Sequence, residues 1–133
     1  MEKWIQGIHH VALRPTQENY ERTLDFYTQV LGLEIARTWG SEERPCCMLS
    51  VGDNSFLELL SGGSSDEKEP GAHDHLAFAT EQPDVLVERV REAGYEITQE
   101  PTDIVIASEE PYPARIAFCI GPVNEIIEFF WVK

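Results

Sequence analysis

Basic residues are scarce in this 133-residue sequence, which has ten lysines and arginines against 24 aspartates and glutamates and a formal net charge of −14. A nucleic-acid-binding protein uses lysine and arginine to neutralise phosphates, so this balance argues against a nucleic-acid partner. It argues equally against binding to an anionic membrane surface. A small anionic substrate is still compatible with the charge, because a bound divalent cation reverses the local field.

Long apolar segments and a cysteine framework are also missing. No apolar run approaches the roughly 20 residues that a membrane-spanning helix needs, and residues 1–4 do not resemble the start of a signal peptide. The three cysteines, Cys46, Cys47 and Cys119, are odd in number and have no CxxC spacing, which argues against a disulfide framework and against that type of zinc motif. We therefore expect reduced core thiols in a cytoplasmic protein.

What the sequence does contain is one pattern that occurs twice. The three landmarks of the first copy are residues 10–13, 31–35 and 56–60, and they recur at residues 75–78, 93–97 and 126–130. The offsets are 65, 62 and 70 residues, so the order and the spacing are nearly preserved. In each copy the first landmark has one histidine and the third has one glutamate, both in apolar, strand-like runs. Such a repeat indicates a duplicated module.

The first copy predicts a strand, a helix and three further strands. Apolar residues at helical spacing begin at Tyr20, with Thr16 as a candidate cap and Gly32 as the stop. Gly52 and Asp53 predict a hairpin turn. The predicted strands cover residues 5–14, 33–39, 45–51 and 54–61.

The second copy repeats this plan after a polar connector at residues 61–72. Its helix is predicted at residues 83–93 and ends at Gly94. Residues 101–113, which contain three prolines, are predicted to form a long loop of the kind that often covers a site. The predicted strands cover residues 73–80, 95–100, 114–121 and 125–132.

The order β-α-β-β-β, occurring twice, predicts an α+β fold with curved mixed sheets and with helices packed on one side. We expect residues 1–133 to form a single domain of two modules, at about residues 1–66 and 67–133. The two modules are expected to surround a cleft.

Strand periodicity selects four side chains for that cleft, because alternate residues face opposite sides of a sheet. In the first strand, Val11 and Leu13 form the packing face, whereas His10 and Arg14 point the other way. The same reasoning places His75, Glu58 and Glu128 on the non-packing faces of their strands. Each glutamate is flanked by apolar residues, where a carboxylate is costly unless it is paired or bound to a metal.

Two imidazoles and two carboxylates predict one divalent metal ion, with nickel, zinc or cobalt as the first expectation and manganese or iron(II) as further candidates. The predicted ligands are His10, Glu58, His75 and Glu128. His9 and His73 are neighbouring histidines that could be mistaken for ligands. A histidine or a glutamate alone in a strand is more often structural, but the repeat offers both types at matching places.

These motifs resemble the vicinal oxygen chelate superfamily, also described as the glyoxalase–bleomycin resistance–dioxygenase family, and within it the glyoxalase I-like lactoylglutathione lyases. The resemblance covers nearly the whole chain. Residues 8–14, 26–33 and 56–59 are similar to the first module of that family, and residues 75–78 and 121–129 are similar to the second.

The resemblance implies paired βαβββ modules, a divalent-metal cleft and, in many small members, a homodimer. It maps the metal ligands of the family to His10, Glu58, His75 and Glu128, a set found in bacterial lactoylglutathione lyases. Epimerase-like members usually have glutamine at the position of Glu58, and dioxygenase-like and fosfomycin-resistance members use three ligands. Glu58 therefore favours the branch that catalyses proton transfer.

The sequence also differs from the lyase pattern at positions that concern the thiol. Arg14 matches a residue that helps to bind glutathione. However, residues 61–63 stand where a glutathione-contacting asparagine is expected, and the basic residues expected before the last strands are sparse, with Arg115 alone nearby. In addition, residues 121–124 replace the usual Asp-Pro-Asp/Glu-Gly turn. The identity of the thiol is left open by these differences.

The expected activity is proton transfer on a hemithioacetal or another small carbonyl substrate, through a metal-stabilised enediolate. The resemblance implies Glu128 as the base, with Glu58 as the alternative, and Arg14 as a ligand for a substrate carboxylate. Two other classes stay open. One is an epimerase or an iron- or manganese-dependent oxygenase, and the other is a non-catalytic binding protein of the bleomycin-resistance type.

Overall fold

A computed structural model describes residues 8–64 and 74–133 of the chain. The chain divides into two compact units, residues 1–65 and 66–133. Each unit has one four-stranded sheet and its own apolar core. That the two units make up one domain of 133 residues stays a prediction.

The first unit follows the predicted order of elements. Its parts are β1 (His10–Leu13), α1 (Tyr20–Asp25), a π-helical turn (Phe26–Val30), β2 (Glu34–Gly40), β3 (Pro45–Ser50) and β4 (Phe56–Leu60). The strand order is β1-β4-β3-β2. The β1 and β4 strands are parallel, and the other neighbours are antiparallel. The sheet is therefore mixed, as the sequence predicted.

The first helical segment is bounded by a turn before α1 and by a glycine after the π-helical turn. The predicted cap Thr16 is wrong, because the N-cap residue is Asn19, whose side chain makes no capping hydrogen bond, and the helix begins at Tyr20. The Thr16 hydroxyl instead accepts a hydrogen bond from the backbone N–H of Asn19 at 3.3 Å, in the turn before the helix. Residues 17–19 form a turn. At the other end, Gly32 has a φ of +82°, a left-handed conformation that glycine adopts with little strain.

The second unit has the same plan. Its parts are β5 (Leu76–Ala79), α2 (Pro83–Glu92), β6 (Ile97–Ile106), β7 (Tyr112–Ile120) and β8 (Ile126–Val132). The strand order is β5-β8-β7-β6, with β5 parallel to β8. Two four-stranded mixed sheets, each with one main helix, confirm the predicted α+β class and the repeated β-α-β-β-β order.

The prediction of a long loop at residues 101–113 is wrong. The β6 strand continues to Ile106 and β7 begins at Tyr112, so only residues 107–111 connect them. The β6 strand tolerates Pro101 because it is at the edge of its sheet, and its register with β7 shifts between Gln99 and Thr102.

Several sequence predictions fall partly or wholly outside the described residues. Of the connector at residues 61–72, only 61–64 are described, and His73 is not. Of the first predicted strand, residues 5–7 are not described either. No helix in the described part of the chain is long and apolar enough to cross a membrane.

The core of each unit lies on one face of its sheet. Leu57 and Leu59 on β4 are at most 1% exposed, and Ile127 and Phe129 on β8 are fully buried. Each pair flanks a glutamate in the sequence, so alternation turns Glu58 and Glu128 to the opposite face of the strand. The free thiols of Cys47 and Cys119 are buried and that of Cys46 is partly buried, which agrees with the predicted core role.

Candidate metal centre

Each unit places one histidine beside one glutamate through the same register of two parallel strands. In the first unit, Ala12 of β1 is the register partner of Glu58, and His10 is two residues before that alanine. In the second unit, Ala77 of β5 is the partner of Glu128, and His75 again precedes it by two residues. The period of two puts each histidine on the same face as the alanine. The small alanine side chain leaves space beside the glutamate.

The pair in the second unit is close and partly buried. The Nε2 atom of His75 lies 3.0 Å from Oε1 of Glu128. Glu128 is 7% exposed and is the only buried acidic residue in the described part of the chain. Burial raises the pKa of the Glu128 carboxyl, and the neighbouring His75 acts in the opposite direction. A buried carboxylate needs a cationic partner, which a proton on His75 or a metal ion provides.

The pair in the first unit is looser and more exposed. The Nε2 atom of His10 lies 3.7 Å from Oε1 of Glu58, and the Glu58 side chain is 16% exposed. This distance exceeds that of a hydrogen bond. The two atoms are nevertheless close enough to share a ligand, and both point away from the core face.

The second ring nitrogen of each histidine contacts the residue that precedes it. The Nδ1 atom of His75 is 2.7 Å from Oδ2 of Asp74, and this hydrogen bond is the main cause that raises the pKa of His75, against the effect of burial. The Nδ1 atoms of His9 and His10 are 2.9 Å apart. Sequence analysis did not select Asp74, although its place beside a candidate ligand was visible.

Arg14 lies immediately after β1 and is exposed. One of its guanidinium nitrogens, Nη1, donates a hydrogen bond to the backbone carbonyl of Ser61 at 3.1 Å. Gly63 donates from its backbone N–H to the carbonyl of Pro15 at 2.8 Å. The segment after β4 is thus hydrogen-bonded to the end of β1. The other guanidinium N–H groups of Arg14 can donate to solvent or to a ligand.

Arg115 is turned away from Glu128. Its guanidinium makes two hydrogen bonds of 2.8 Å to Asp84 at the start of α2, and one of 3.2 Å to Asp103. Since Phe118 is the β7 register partner of Glu128, the odd-numbered Arg115 lies on the opposite, helix-covered face. Arg115 therefore holds the helix against the sheet and is not available on the face of Glu128.

The Glu128 face of the second sheet is aromatic around the histidine. The ring of His75 meets the ring of Phe118 edge-on, with centroids 5.6 Å apart. The rings of Tyr112 and Phe130 are 6.1 Å apart. Phe118 was not predicted, because its place opposite Glu128 follows from the register of β7 and β8.

Neither unit alone has a complete metal site. Among residues 8–64 and 74–133, no group of three or more histidine, cysteine, aspartate or glutamate side chains has the arrangement of a metal site. The structure brings each histidine to its own glutamate, as two donors per unit. Imidazole nitrogen and carboxylate oxygen are donors that suit zinc, nickel, cobalt and related divalent ions, but these ions normally take four or more ligands.

Comparisons with known proteins identify the fold and its relatives. Residues 7–110 match the family model of the Glyoxalase/Bleomycin resistance protein/Dioxygenase superfamily. The chain is 28% identical to the lactoylglutathione lyase of Escherichia coli O157:H7 over 103 residues, which is 68% of this chain and 76% of the relative.

Solved structures agree with this assignment. A glyoxalase family protein from Enterococcus faecalis superposes with a TM-score of 0.71 at 25% identity, over 96% of this chain and 99% of that chain. The fosfomycin resistance protein FosX from Listeria monocytogenes, in a complex with Mn(II) and sulfate, superposes with a TM-score of 0.70 at 18% identity, over 97% and 94% of the two chains. The second likeness concerns the fold only.

Proposed function

The chain belongs to the Glyoxalase/Bleomycin resistance protein/Dioxygenase superfamily, and from this membership we propose that it is a divalent-metal-dependent lyase or isomerase of the glyoxalase I type. The observation that supports this most is the repeated His–Glu pair, with the same strand register in both units.

We propose that His10, Glu58, His75 and Glu128 together bind one divalent ion. Two donors from each unit complete a set of four, which neither unit supplies alone. The buried carboxylate of Glu128 fits this role, because His75 and Glu128 would hold the ion in place of the proton that otherwise links them. The chemistry that such an ion supplies is Lewis acidity toward a substrate carbonyl oxygen.

In the proposed mechanism, Glu128 removes the proton from the carbon next to the carbonyl and returns it to the neighbouring carbon. Its low exposure excludes water from the carboxylate, so that the proton is retained between the two steps. Glu58 is the alternative base, and its greater exposure makes it the second choice. Arg14 is proposed to bind a carboxylate of the substrate, since its remaining guanidinium N–H groups suit a bidentate contact.

The proposed substrate is a hemithioacetal, and its thiol part is proposed to carry less negative charge than glutathione. Arg115 is engaged with Asp84 and Asp103 on the opposite face of the second sheet. The side chains beside Glu128 on that sheet are instead aromatic or small, as with Phe118 and Ala77. These neighbours offer no cationic partner to the thiol, so Arg14 is the proposed partner for one carboxylate, and a second carboxylate would have no proposed partner.

The first experiment is elemental analysis of the purified protein, followed by assays of methylglyoxal with several thiols. About one nickel, cobalt, zinc, manganese or iron ion for each set of four ligands, together with isomerisation of a hemithioacetal, is the expected result. Absence of metal uptake from supplied nickel or zinc would contradict the proposal. Iron-dependent oxygen uptake would instead assign the chain to the oxygenase branch.

We further propose that the protein acts as a cytoplasmic homodimer. Its three cysteines are free thiols, which suits a reducing compartment. Light scattering on the purified protein tests the oligomeric state, and a monomer at micromolar concentration would contradict it.

A further inference from the structure

The residue before each proposed ligand histidine contacts the Nδ1 atom of that histidine. In the second unit this is Asp74, with its Oδ2 atom 2.7 Å from Nδ1 of His75. In the first unit it is His9, whose own Nδ1 atom is 2.9 Å from Nδ1 of His10. In both units the Nε2 atom of the ligand histidine is the nitrogen that faces the glutamate.

This arrangement selects which nitrogen is available to a metal. A neutral imidazole carries its proton on one nitrogen and offers the lone pair of the other. When a metal takes the place of the proton at Nε2, an acceptor at Nδ1 holds the remaining proton there, and the lone pair is at Nε2. Asp74 is an acceptor through its carboxylate. Either ring can donate in the contact between His9 and His10, and with a metal at Nε2 of His10 the donor is Nδ1–H of His10 and the acceptor is Nδ1 of His9, which then carries its own proton on Nε2.

We propose that Asp74 and His9 are positioning residues that hold His75 and His10 in the Nδ1-protonated form, with Nε2 directed at the metal. This inference rests on the proposed metal site. Hydrogen-bonded partners of this kind fix the orientation of metal-binding histidines, and their removal typically weakens metal affinity about 10- to 100-fold.

The two positioning residues are chemically different. The Asp74 side chain is 89% exposed, so solvent screens its charge, and its main effect is the hydrogen bond that orients the ring. The His9 ring is fixed in addition by Phe56, with centroids 5.2 Å apart. The orientation of His10 therefore depends on a packed aromatic ring, whereas that of His75 depends on an exposed carboxylate.

The test measures zinc dissociation constants by competition with a chelator for the wild type, Asp74→Ala, Asp74→Asn and His9→Ala. Glu81→Ala is the matched control, because Glu81 is an exposed acid just after the same strand. Asp74→Asn retains an acceptor oxygen without the charge. Long-range proton–nitrogen NMR spectra of the zinc-loaded proteins report which ring nitrogen of each histidine carries the proton. Circular dichroism checks that each variant is folded.

The expected result is a dissociation constant that rises about 10- to 100-fold in Asp74→Ala and His9→Ala and is unchanged in Glu81→Ala. Asp74→Asn is expected to recover most of the affinity, and the loss in Asp74→Ala is expected to persist in about 0.5 M salt, where exposed charges are strongly screened. Asp74→Ala should also lose the uniform Nδ1 protonation of His75.

Other results would overturn the inference in distinguishable ways. If wild type and Asp74→Ala bind zinc equally and His75 keeps the same protonated nitrogen, the metal site stands and the positioning role fails. If Asp74→Ala and Asp74→Asn lose zinc affinity equally, and the loss disappears at high salt, Asp74 acts through its charge and not by orienting His75. If the wild type itself does not bind zinc, nickel or cobalt, the proposed metal site fails together with this inference.

Discussion

The Nε2 atom of His75 lies 3.0 Å from Oε1 of Glu128 on the neighbouring parallel strand. This contact is the most direct consequence of the β5–β8 register, in which Ala77 is the partner of Glu128. The corresponding atoms of His10 and Glu58 are 3.7 Å apart. The second unit therefore has the more tightly organised half of the proposed ligand set.

Variants of Glu58 and Glu128 distinguish a metal-binding role of these residues from a purely structural role. Glu128→Gln and Glu58→Gln are expected to reduce bound metal to a small fraction of wild type and to abolish isomerase activity, because an amide is a weak ligand and not a base. The metal-free Glu128→Gln protein should melt within a few degrees of the metal-free wild type, since the glutamine carbonyl can still accept a hydrogen bond from Nε2 of His75 and no charge is left buried at this position. Elemental analysis and calorimetry measure both effects.

Glu92→Gln is the control for these variants, because Glu92 is an exposed glutamate at the end of α2. It should keep its metal and its activity. A Glu128→Gln protein that retains full metal content would contradict the ligand assignment.

Removal of metal is expected to lower the melting temperature of the wild type. A ligand that binds only the folded state at about 100 times its dissociation constant stabilises that state by about 2.7 kcal/mol. Calorimetry before and after treatment with a chelator, and after addition of zinc, measures this shift. Elemental analysis confirms that the wild type is loaded before the melt. If loaded and metal-free wild type then melt at the same temperature, the metal does not bind at a site that requires the folded state.

Asp84 and Arg115 give a pH dependence of stability that is separate from the metal site. The hydrogen bonds from Arg115 stabilise the carboxylate form of Asp84, so the pKa of Asp84 in the folded protein lies below its ordinary value. A lowered pKa contributes stability that is fully present above the pKa of the unfolded aspartate, about 3.9. That contribution is lost as the pH falls through the folded value.

Asp84→Asn should therefore lower the melting temperature by a constant amount between about pH 6 and 8, and the difference from wild type should shrink below about pH 4. Zinc affinity should be unchanged, because Arg115 and Asp84 lie on the helix-covered face. Thermal melts across this pH range test the expectation. A difference that grows toward acid pH would contradict it.

Gly63 is expected to be intolerant of a side chain. A Cβ atom at this position would overlap the backbone carbonyl of Arg14, so Gly63→Ala should displace the segment after β4 and with it the Ser61 carbonyl that accepts from Arg14. The expected result is a lower melting temperature and a higher KM for a substrate with a carboxylate. Ser64→Ala, at an exposed neighbouring residue, should change neither quantity, and equal effects of the two variants would contradict this explanation.

The three thiols should react at different rates in the folded protein. Cys47 and Cys119 are at most 1% exposed, and burial raises the pKa of Cys119 to about 12. Cys46 is only partly buried. Alkylation of the native protein, followed by mass spectrometry, should therefore label Cys46 first, and all three thiols should react after denaturation. Rapid native labelling of Cys119 would contradict the predicted core position.

Most of the fold could be predicted from the sequence because its signals are local. Alternation along residues 56–60 and 126–130 reports which side chains are buried, since neighbours on a strand face opposite sides. Helical spacing and the glycines at 32 and 94 mark where the helices end. The prediction of a loop at residues 101–113 was wrong. It rested on the three prolines of this segment, although most of the segment forms strands. An edge strand with a shifted register accommodates Pro101, and edge position is not visible in a local pattern.

The sequence by itself determined the residue types of the candidate site, their repetition and the faces on which they lie. Only the tertiary structure decided that β1 is parallel to β4 and β5 to β8, which brings each histidine to its glutamate across about 50 residues of chain. It also decided that Asp74 contacts Nδ1 of His75 and that Arg115 donates its hydrogen bonds to Asp84. Periodicity is a property of neighbouring residues, whereas strand pairing and side-chain partners depend on the packing of segments that are distant in the sequence.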